Sequence, residues 1–162
     1  MSNKTVVWDA NRNTPLSNSS GTFKIGDHGN VVVVDQVGNI SWSSNETKAG
    51  QHVVQLLDSG NLVVKEMNES DPGKYLWQSF DYPTDTLLPD MKLGWELDTG
   101  FDRHLTSWRS SADPSTGDYS FKLDFREKFL VEQTRSRISK QALERDKVQR
   151  GTRNGAFKLS QL

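Results

Sequence analysis

The stretch that decides the fold is DSGNLVV at residues 58–64, because the chain has already used nearly the same phrase, DHGNVVV, at residues 27–33. In each copy a glycine separates two polar residues from an asparagine, and a run of branched apolar residues follows. Glycine supplies the positive φ that a tight turn requires, and β-branched residues favour strands. Each phrase therefore predicts a turn that leads into a strand.

The spacing of the tryptophans predicts an internal repeat. Trp8, Trp42 and Trp77 lie 34 and 35 residues apart, and a DxGN phrase precedes the second and the third. A unit of this size, made of a few short strands, cannot bury its apolar face alone. We therefore predict three small sheets whose tryptophans point at a common axis and form one core. By the same spacing, the phrase belonging to Trp8 would fall upstream of residue 1, so we expect an N-terminally truncated fragment.

Short strands are predicted throughout the first 125 residues. Apolar or aromatic runs alternate with clusters of Gly, Asn, Asp, Pro and Ser, which is typical of strands joined by turns. The predicted strands cover residues 5–8, 31–35, 40–42, 52–57, 62–64, 75–77 and 119–123.

Composition limits the class of protein. Only 33% of the 162 residues are hydrophobic, the mean hydropathy is −0.70 and the net charge is −1, which favours a thin or divided core. The longest aliphatic run, Val31–Val34, is far shorter than the roughly 18 residues of a membrane span, and no apolar segment of signal-peptide type follows Met1. The sequence has no cysteine, which excludes disulfides and thiolate metal sites within these residues.

Five Asn-X-Ser/Thr sequons indicate passage through the secretory pathway. The alternative is that a polar, turn-rich β protein accumulates Asn and Ser for structural reasons. We expect an extracellular location, with N-glycosylation candidates at Asn3, Asn18, Asn39, Asn45 and Asn68.

No catalytic pattern emerges. The three histidines are scattered, and the sequence has no HExxH pair, GxSxG elbow or phosphate-binding glycine loop. The densest carboxylates outside the tail are better explained as turn residues than as an acid/base pair or a calcium site. We predict no enzymatic activity, no catalytic residue, no metal and no cofactor. The residues weighed were His28, His52, His104, Asp81, Asp85 and Asp90.

The last 37 residues differ from the rest. Residues 126–162 carry ten Lys/Arg and four Asp/Glu. Strong helix formers between Val131 and Val148 predict a helix or a disordered basic tail. A solvated charged segment and a partner-binding amphipathic helix both stay open for it. Aromatic residues are not interleaved with the basic ones, so we expect no nucleic-acid partner.

A longer motif carries a family resemblance. The segment LWQSFDYPTDTLLP at residues 76–89 and MKLGW at 91–95, together with LTSW at 105–108 and GDYS at 117–120, resembles the ectodomain of plant S-locus glycoproteins and S-domain (G-type lectin) receptor-like kinases. The repeated phrases and tryptophans resemble the bulb-type, mannose-binding lectin fold. The resemblance implies an all-β fold, the β-prism II, a pseudo-threefold trefoil of small antiparallel sheets. It implies a bulb-type lectin domain at residues 1–104, incomplete at its N-terminus. A partial second lectin-like S-locus unit with the basic tail would occupy residues 105–162.

The resemblance also implies where a sugar would bind. In bulb lectins the sugar strand carries Gln-x-Asp-x-Asn-x-Val-x-Tyr, with the five side chains on one face. Only Asn and Val survive in either copy here. A millimolar site has only about 4 kcal/mol in total, and a hydrogen bond with a charged partner contributes roughly 1.5–3 kcal/mol, so we expect neither copy to bind mannose measurably. The aligned positions are Leu57, Ser59, Asn61, Val63 and Lys65 in one copy and Gly26, His28, Asn30, Val32 and Val34 in the other.

The function implied is that of a non-catalytic extracellular recognition module. Its expected partners are a secreted peptide or protein, another receptor ectodomain, or a weakly bound glycan, with membrane attachment only through parts absent from this chain. A truncated product that dimerises with intact receptors is the alternative, and a mannose-binding lectin is the third. An aberrant gene model would explain the divergent tail.

Overall fold

The computed structural model describes residues 6–45 and 48–123 in full, and the backbone of two short strands at 130–133 and 157–158. Contacts group the chain into two compact units. We call residues 10–81 the central unit, and residues 1–9 with 82–162 the terminal unit. All the strand pairs are antiparallel, and the described residues include no α-helix, so the predicted all-β fold is confirmed.

The central unit contains two three-stranded sheets built from consecutive strands. The first has the order β1-β2-β3 and the second the order β4-β5-β6. Two 3-10 turns, Pro72–Lys74 and Ser79–Asp81, flank the last strand. The strands are β1 Thr22–Ile25, β2 Val31–Val34, β3 Ile40–Ser43, β4 His52–Leu56, β5 Leu62–Glu66 and β6 Trp77–Gln78.

Branched side chains from the middle strands form the core of the central unit. Val31 and Val63 are fully buried, and Val64 is 1% exposed. Successive residues of a strand point to opposite faces of a sheet, so the burial of both Val63 and Val64 means that β5 is covered on both faces. Val64 lies opposite Trp77 in the ladder, which is itself 5% exposed.

The terminal unit contains one three-stranded sheet and two two-stranded ladders. The sheet has the order β10-β11-β12, and the ladders pair β7 with β13 and β8 with β9. Two register shifts interrupt the β10–β11 pairing on either side of Trp108. The strands are β7 Thr86–Leu87, β8 Gly94–Trp95, β9 Asp102–Arg103, β10 Leu105–Ser110, β11 Asp113–Lys122, β12 Leu130–Gln133 and β13 Phe157–Lys158.

Most of the predicted strands are present. The predictions at 31–35, 40–42, 52–57 and 62–64 are confirmed to within two residues. The one at 119–123 overlaps β11 at residues 119–122, and the one at 75–77 overlaps β6 only at Trp77. The prediction at 5–8 is wrong for residues 6–8, which run as irregular chain. Side-chain hydrogen bonds hold this segment instead of a ladder. The Thr86 hydroxyl donates to the Val6 carbonyl oxygen at 3.4 Å, and the Trp8 indole N–H donates to the Tyr82 carbonyl oxygen at 2.9 Å.

The tail prediction needs a correction. Leu130–Gln133 form β12, and Val131 lies opposite Phe121 of β11, so the helix predicted from Val131 is wrong for residues 131–133. Pairing with an existing strand edge has overridden local helix propensity. The rest of that predicted helix, residues 134–148, lies outside the described residues. The boundary predicted near residue 104 falls inside the terminal unit, and the assignment of residues 1–104 and 105–162 to two lectin-like units stays a prediction.

Candidate functional site

The two DxGN phrases form the same hairpin loop. In the second copy the Leu57 N–H donates to the Asn61 carbonyl oxygen (2.9 Å), and the Gly60 N–H donates to the Leu57 carbonyl oxygen (2.9 Å). Gly60 has a φ of 87°, in the left-handed region where glycine is favoured. These features describe a three-residue loop closed by a glycine bulge.

The first copy repeats this pattern atom for atom. The Gly26 N–H donates to the Asn30 carbonyl oxygen (2.7 Å), and the Gly29 N–H donates to the Gly26 carbonyl oxygen (3.0 Å). Gly29 has a φ of 80°. The prediction that each phrase is a turn entering a strand is therefore confirmed.

A third loop of the same type joins β2 to β3. The Asp35 N–H donates to the Asn39 carbonyl oxygen (2.9 Å), the Gly38 N–H donates to the Asp35 carbonyl oxygen (3.1 Å), and Gly38 has a φ of 99°. The Asp35 carboxylate also accepts from Val37 N–H, Asn39 N–H and the Asn39 side chain. These bonds, with the Asn39 side chain first, lower the pKa of Asp35. Sequence analysis missed this loop, although its Gly-Asn pair was visible.

The side chain of Asn61 makes all of its hydrogen bonds within the protein, to residues at the end of β6 and just after it. Its amide nitrogen donates to Gln78 Oε1 (2.9 Å), while its oxygen accepts from Ser79 Oγ (3.2 Å) and from the Phe80 N–H (3.2 Å). Asn61 is 6% exposed. The residue therefore ties the start of β5 to the end of β6 and to the 3-10 turn after it.

Asn30 makes a weaker version of the same connection. Its amide nitrogen donates to Ser43 Oγ at 2.8 Å, and the residue is half-buried. Ser43 also accepts from the Asn45 N–H at 3.1 Å. One side-chain bond here corresponds to three in the second hairpin.

Two buried serines complete the network, and sequence analysis did not single them out. Ser79 Oγ accepts from the Leu62 N–H (2.9 Å), and Ser44 Oγ accepts from the Val31 N–H (3.0 Å). Both satisfy the first N–H of a strand that follows a DxGN loop. The signal that could have identified them is the recurrence of Ser two positions after a tryptophan, in Trp42-Ser43-Ser44 and Trp77-Gln78-Ser79.

The valines of the sugar motif lie inside the protein. Val63 is fully buried, and Val32 is 3% exposed. A side chain without solvent exposure offers no surface for the carbons of a hexose ring.

The remaining motif positions are scattered by the hairpin geometry. Only residues 63 and 65 of the second copy belong to a strand, because residues 57–61 form the loop. Ser59 and His28 are exposed, Leu57, Lys65 and Gly26 are half-buried, and Val34 is 8% exposed.

Two of the three predicted core tryptophans meet. The rings of Trp42 and Trp77 pack edge to face, with centroids 5.5 Å apart and planes at 71°, a favourable aromatic geometry. Trp8 belongs to the terminal unit. Its place on the same axis stays a prediction.

The described sequon asparagines are all exposed but differ in their contacts. Asn39 donates to Asp35 Oδ2 at 2.8 Å, and Asn18 contacts Gln36 Oε1 at 3.5 Å. Asn45 has a φ of 59°, and the side chain of Asn68 makes no hydrogen bond to any described residue. Asn3 lies outside the described residues.

The carboxylates weighed for catalysis differ in burial: Asp85 is fully buried, Asp81 is half-buried, and Asp90 is exposed with a φ of 70°. His52 Nδ1 contacts the Gly29 carbonyl oxygen (3.2 Å), His104 Nδ1 lies 3.3 Å from Asp102 Oδ2, and His28 is exposed. Within residues 6–45 and 48–123, no three His, Asp or Glu side chains converge as a metal site. In the same ranges no helix has the length and apolar character needed to cross a membrane.

Comparison with known proteins places these hairpins in a family. The family model for D-mannose binding lectins matches residues 5–109. An S-locus-specific glycoprotein of Brassica oleracea is 52% identical over 126 residues, which cover 76% of this chain and 29% of that protein. Receptor-like serine/threonine-protein kinase SD1-8 of Arabidopsis thaliana is 54% identical over 127 residues, 76% of this chain and 15% of the kinase.

The chain thus spans less than a third of the length of these relatives. Its match to the family model, by contrast, covers most of its own length. The chain belongs to the D-mannose-binding, bulb-type lectin family, as an S-domain similar to those of S-locus glycoproteins and S-domain receptor kinases.

Proposed function

We propose that this chain is a non-catalytic extracellular recognition module that binds a secreted peptide or protein and does not use the inherited sugar motif. The observation that carries the proposal is that the Asn61 side chain is already engaged in hydrogen bonds within the protein. Its oxygen accepts two hydrogen bonds from within the protein, and its amide nitrogen donates a third. The one polar group of the sugar motif that survives in both copies is therefore already used by the fold.

The energetic argument points the same way. A millimolar ligand requires about 4 kcal/mol, and a neutral hydrogen bond contributes only about 1 kcal/mol. Ser59 and Lys65 are the polar motif positions of the second copy that retain solvent access. A neutral bond to Ser59 and a charge-assisted bond to Lys65 contribute roughly 1 and 1.5–3 kcal/mol, which at most equals the total of a millimolar site before the entropy lost on binding is subtracted. The buried Val63 adds no ring packing, so we expect no measurable mannose site.

Titration calorimetry with methyl α-mannoside tests the sugar half of the proposal. We expect no saturable heat up to about 10 mM, a concentration that corresponds to less than 3 kcal/mol of binding free energy. The matched variant is Ser59→Ala with Lys65→Ala, because it keeps all three side-chain hydrogen bonds of Asn61 and removes only the 3.4 Å contact between Ser59 Oγ and the Asn61 N–H. Saturable heat in the parent protein that this variant loses would overturn the proposal.

A panel of secreted plant peptides, screened against the immobilised chain, tests the positive half. We expect saturable binding of at least one peptide class, with no dependence on added mannose. Retention of glycans alone on a parallel array would favour the mannose-binding alternative.

The exposed edge of the first sheet favours a second candidate, pairing with another receptor ectodomain. All four residues of β1 are exposed, with Phe23 at 50% and Ile25 at 41%. Among the described residues β1 pairs with β2 alone. An apolar edge strand of this kind is a ready partner for a second chain.

Size-exclusion chromatography with light scattering tests this candidate. A dimer that Phe23→Lys converts to monomer would support pairing through the β1 edge, because a charge on an edge strand opposes strand addition. Val37→Lys, in the exposed loop between β2 and β3, is the matched control for added charge away from the β1 edge. A monomer at all concentrations would leave peptide or protein recognition as the function.

A further inference from the structure

A shallow depression lies beside the loop that follows β5, at the end of the β4–β5 hairpin opposite its DxGN loop. It has a volume of about 380 Å³, within the range of small-ligand sites. Its wall combines two carboxylates, two amide side chains and one thioether. The lining residues are Gly50, Gln51, Glu66, Met67, Asn68 and Glu69.

The walls of the depression are held in place by contacts on their outer sides. Lys48 Nζ lies 2.7 Å from Glu66 Oε1, and Lys74 Nζ lies 3.4 Å from Glu69 Oε2. Glu69 Oε1 accepts from the N–H groups of Ser70 (3.0 Å) and residue 71 (2.9 Å). The Met67 N–H donates to the Gln51 carbonyl oxygen at 3.1 Å. The depression is therefore a formed feature and not a gap between loose side chains.

Three lining side chains keep free binding capacity. Asn68 and Gln51 are exposed, and neither side chain makes a hydrogen bond to a described residue. Met67 is 55% exposed, so its thioether is accessible from solvent. Free amides next to an exposed thioether offer hydroxyl and acetamido recognition on one side and apolar contact on the other.

Asn68 is also a sequon asparagine, followed by Glu69 and Ser70. It differs from Asn39, whose amide nitrogen is held by Asp35 at 2.8 Å. Its own side chain makes no hydrogen bond to a described residue, and Asn68 is one of the residues that line the depression. A sugar attached there starts beside a site of suitable size and polarity.

We propose that this depression seats the first N-acetylglucosamine of a glycan carried by Asn68, which makes the glycan a structural part of the central unit. The proposal rests on the extracellular location given under Proposed function. In the modification, Asn68 Nδ2 forms a bond to C1 of the sugar and loses a proton, and the pyrophosphate of a lipid-linked oligosaccharide leaves from C1. The Gln51 amide then faces the sugar's polar groups, and Met67 faces its apolar ring face.

Attachment explains why so open a site would be filled. A free monosaccharide in a shallow depression makes too few contacts to offset the entropy lost on binding. A short covalent tether raises the effective concentration to the millimolar range or above. A weak site thus becomes an occupied one without any additional contact.

The test uses the chain secreted from a eukaryotic host and trimmed with an endoglycosidase that leaves one N-acetylglucosamine on each asparagine. Peptide mass spectrometry is expected to find the sugar on Asn68. A nuclear Overhauser effect is expected between its acetyl or ring protons and the Met67 methyl group. The unfolding midpoint is expected to lie about 2 °C or more above that of Ser70→Ala, which lacks the sequon.

Two further variants keep the result interpretable. Gln51→Ala should retain the sugar but lose most of the increment in midpoint, since that side chain has no other described partner. Ser20→Ala removes the sequon of Asn18 and should leave the midpoint unchanged. An unmodified Asn68, or a modified one with neither the Overhauser contact nor the increment, would overturn the proposal. Either result concerns the glycan alone, and the peptide-binding assay decides the proposed recognition function separately. Absence of sugar from all of the described asparagines would count against the extracellular location itself.

Discussion

The two DxGN hairpins of the central unit have the same backbone and different roles for their asparagines. Asn61 is 6% exposed and makes three side-chain hydrogen bonds, whereas Asn30 is half-buried and makes one. The loop geometry depends on the glycine and on backbone bonds, which the copies share. What differs is how far each asparagine is built into the neighbouring strand. A repeated phrase therefore fixes the local turn, but it does not fix how much each copy contributes to the stability of the fold.

The largest expected effect separates the two asparagines directly. Asn61→Ala removes the partner of two buried groups, Ser79 Oγ and the Phe80 N–H, and of the half-buried Gln78 Oε1. Each buried loss costs about 1–3 kcal/mol, so we expect the free energy of unfolding to fall by about 3 kcal/mol or more. Asn30→Ala should cost about 1 kcal/mol, because water can reach Ser43. Urea unfolding of the two variants measures the difference. Equal losses would mean that the extra bonds of Asn61 add nothing.

A glycine pair tests the next contrast, between crowded and open loops of the same type. An alanine methyl at Gly29 would meet the His52 ring and the Lys48 carbonyl oxygen, while at Gly38 it would meet nothing within 4 Å. Both positions have positive φ, which costs roughly 1–2 kcal/mol for a residue with a Cβ. We expect Gly38→Ala to lose about that amount and Gly29→Ala to lose about 3 kcal/mol. Thermal unfolding of both variants should show two well-separated midpoints, and coincident midpoints would contradict the crowding at Gly29.

The two buried serines provide a finer comparison. Ser79→Ala leaves the Leu62 N–H without its acceptor and removes one donor to Asn61. Ser44→Ala leaves only the Val31 N–H without its acceptor. We expect losses of about 2 and about 1 kcal/mol respectively. A double variant, Asn61→Ala with Ser79→Ala, should lose less than the sum of the single losses, because the two residues share a bond. Strict additivity would show that they act independently.

The smallest expected effect concerns pH and the third loop. Hydrogen bonds from Asn39, Val37 and Gly38 lower the pKa of Asp35 in the folded chain, so the unfolded chain binds the proton more tightly. The stability that this carboxylate contributes is therefore present above its ordinary pKa of 3.8 and is lost as the pH falls through the folded value. Asp35→Asn should have a lower unfolding midpoint than the parent at pH 7, and the gap should close progressively as the pH is lowered below about 4. A gap that is constant over this range would show that the charge of Asp35 has no part in it.

The turns could be predicted from the sequence because their residues favour few other backbone conformations. Glycine before asparagine, ahead of a valine run, has one common structural meaning, and Gly29 and Gly60 have the expected positive φ. The long strand β11 was harder to predict, since Pro114 and Gly117 lie inside it and normally interrupt a strand. The register shifts around Trp108 absorb both residues. Bulges of this kind depend on the partner strand and leave no local signal.

The sequence identified the residues of the candidate site, but it did not predict that they are buried. The sequence aligns Asn61 and Val63 with a sugar motif, and it gives no sign that both point into the sheet. Their burial depends on Ser79 and Trp77, which approach through strand pairing 14 or more residues away. Long-range pairing of this kind follows from packing, so the direction of the motif side chains had to come from the structure.

The inward direction of the paired asparagines and serines has a consequence for how this domain tolerates change. Residues that the hairpins cannot lose are hidden, while the side chains of loop positions such as His28 and Val37 face water. In a saturation mutagenesis library selected only for folding, Asn61 and Ser79 should stay nearly invariant and these tips should drift freely. The domain can therefore change its binding preference through substitutions in its exposed loops, without any change of fold.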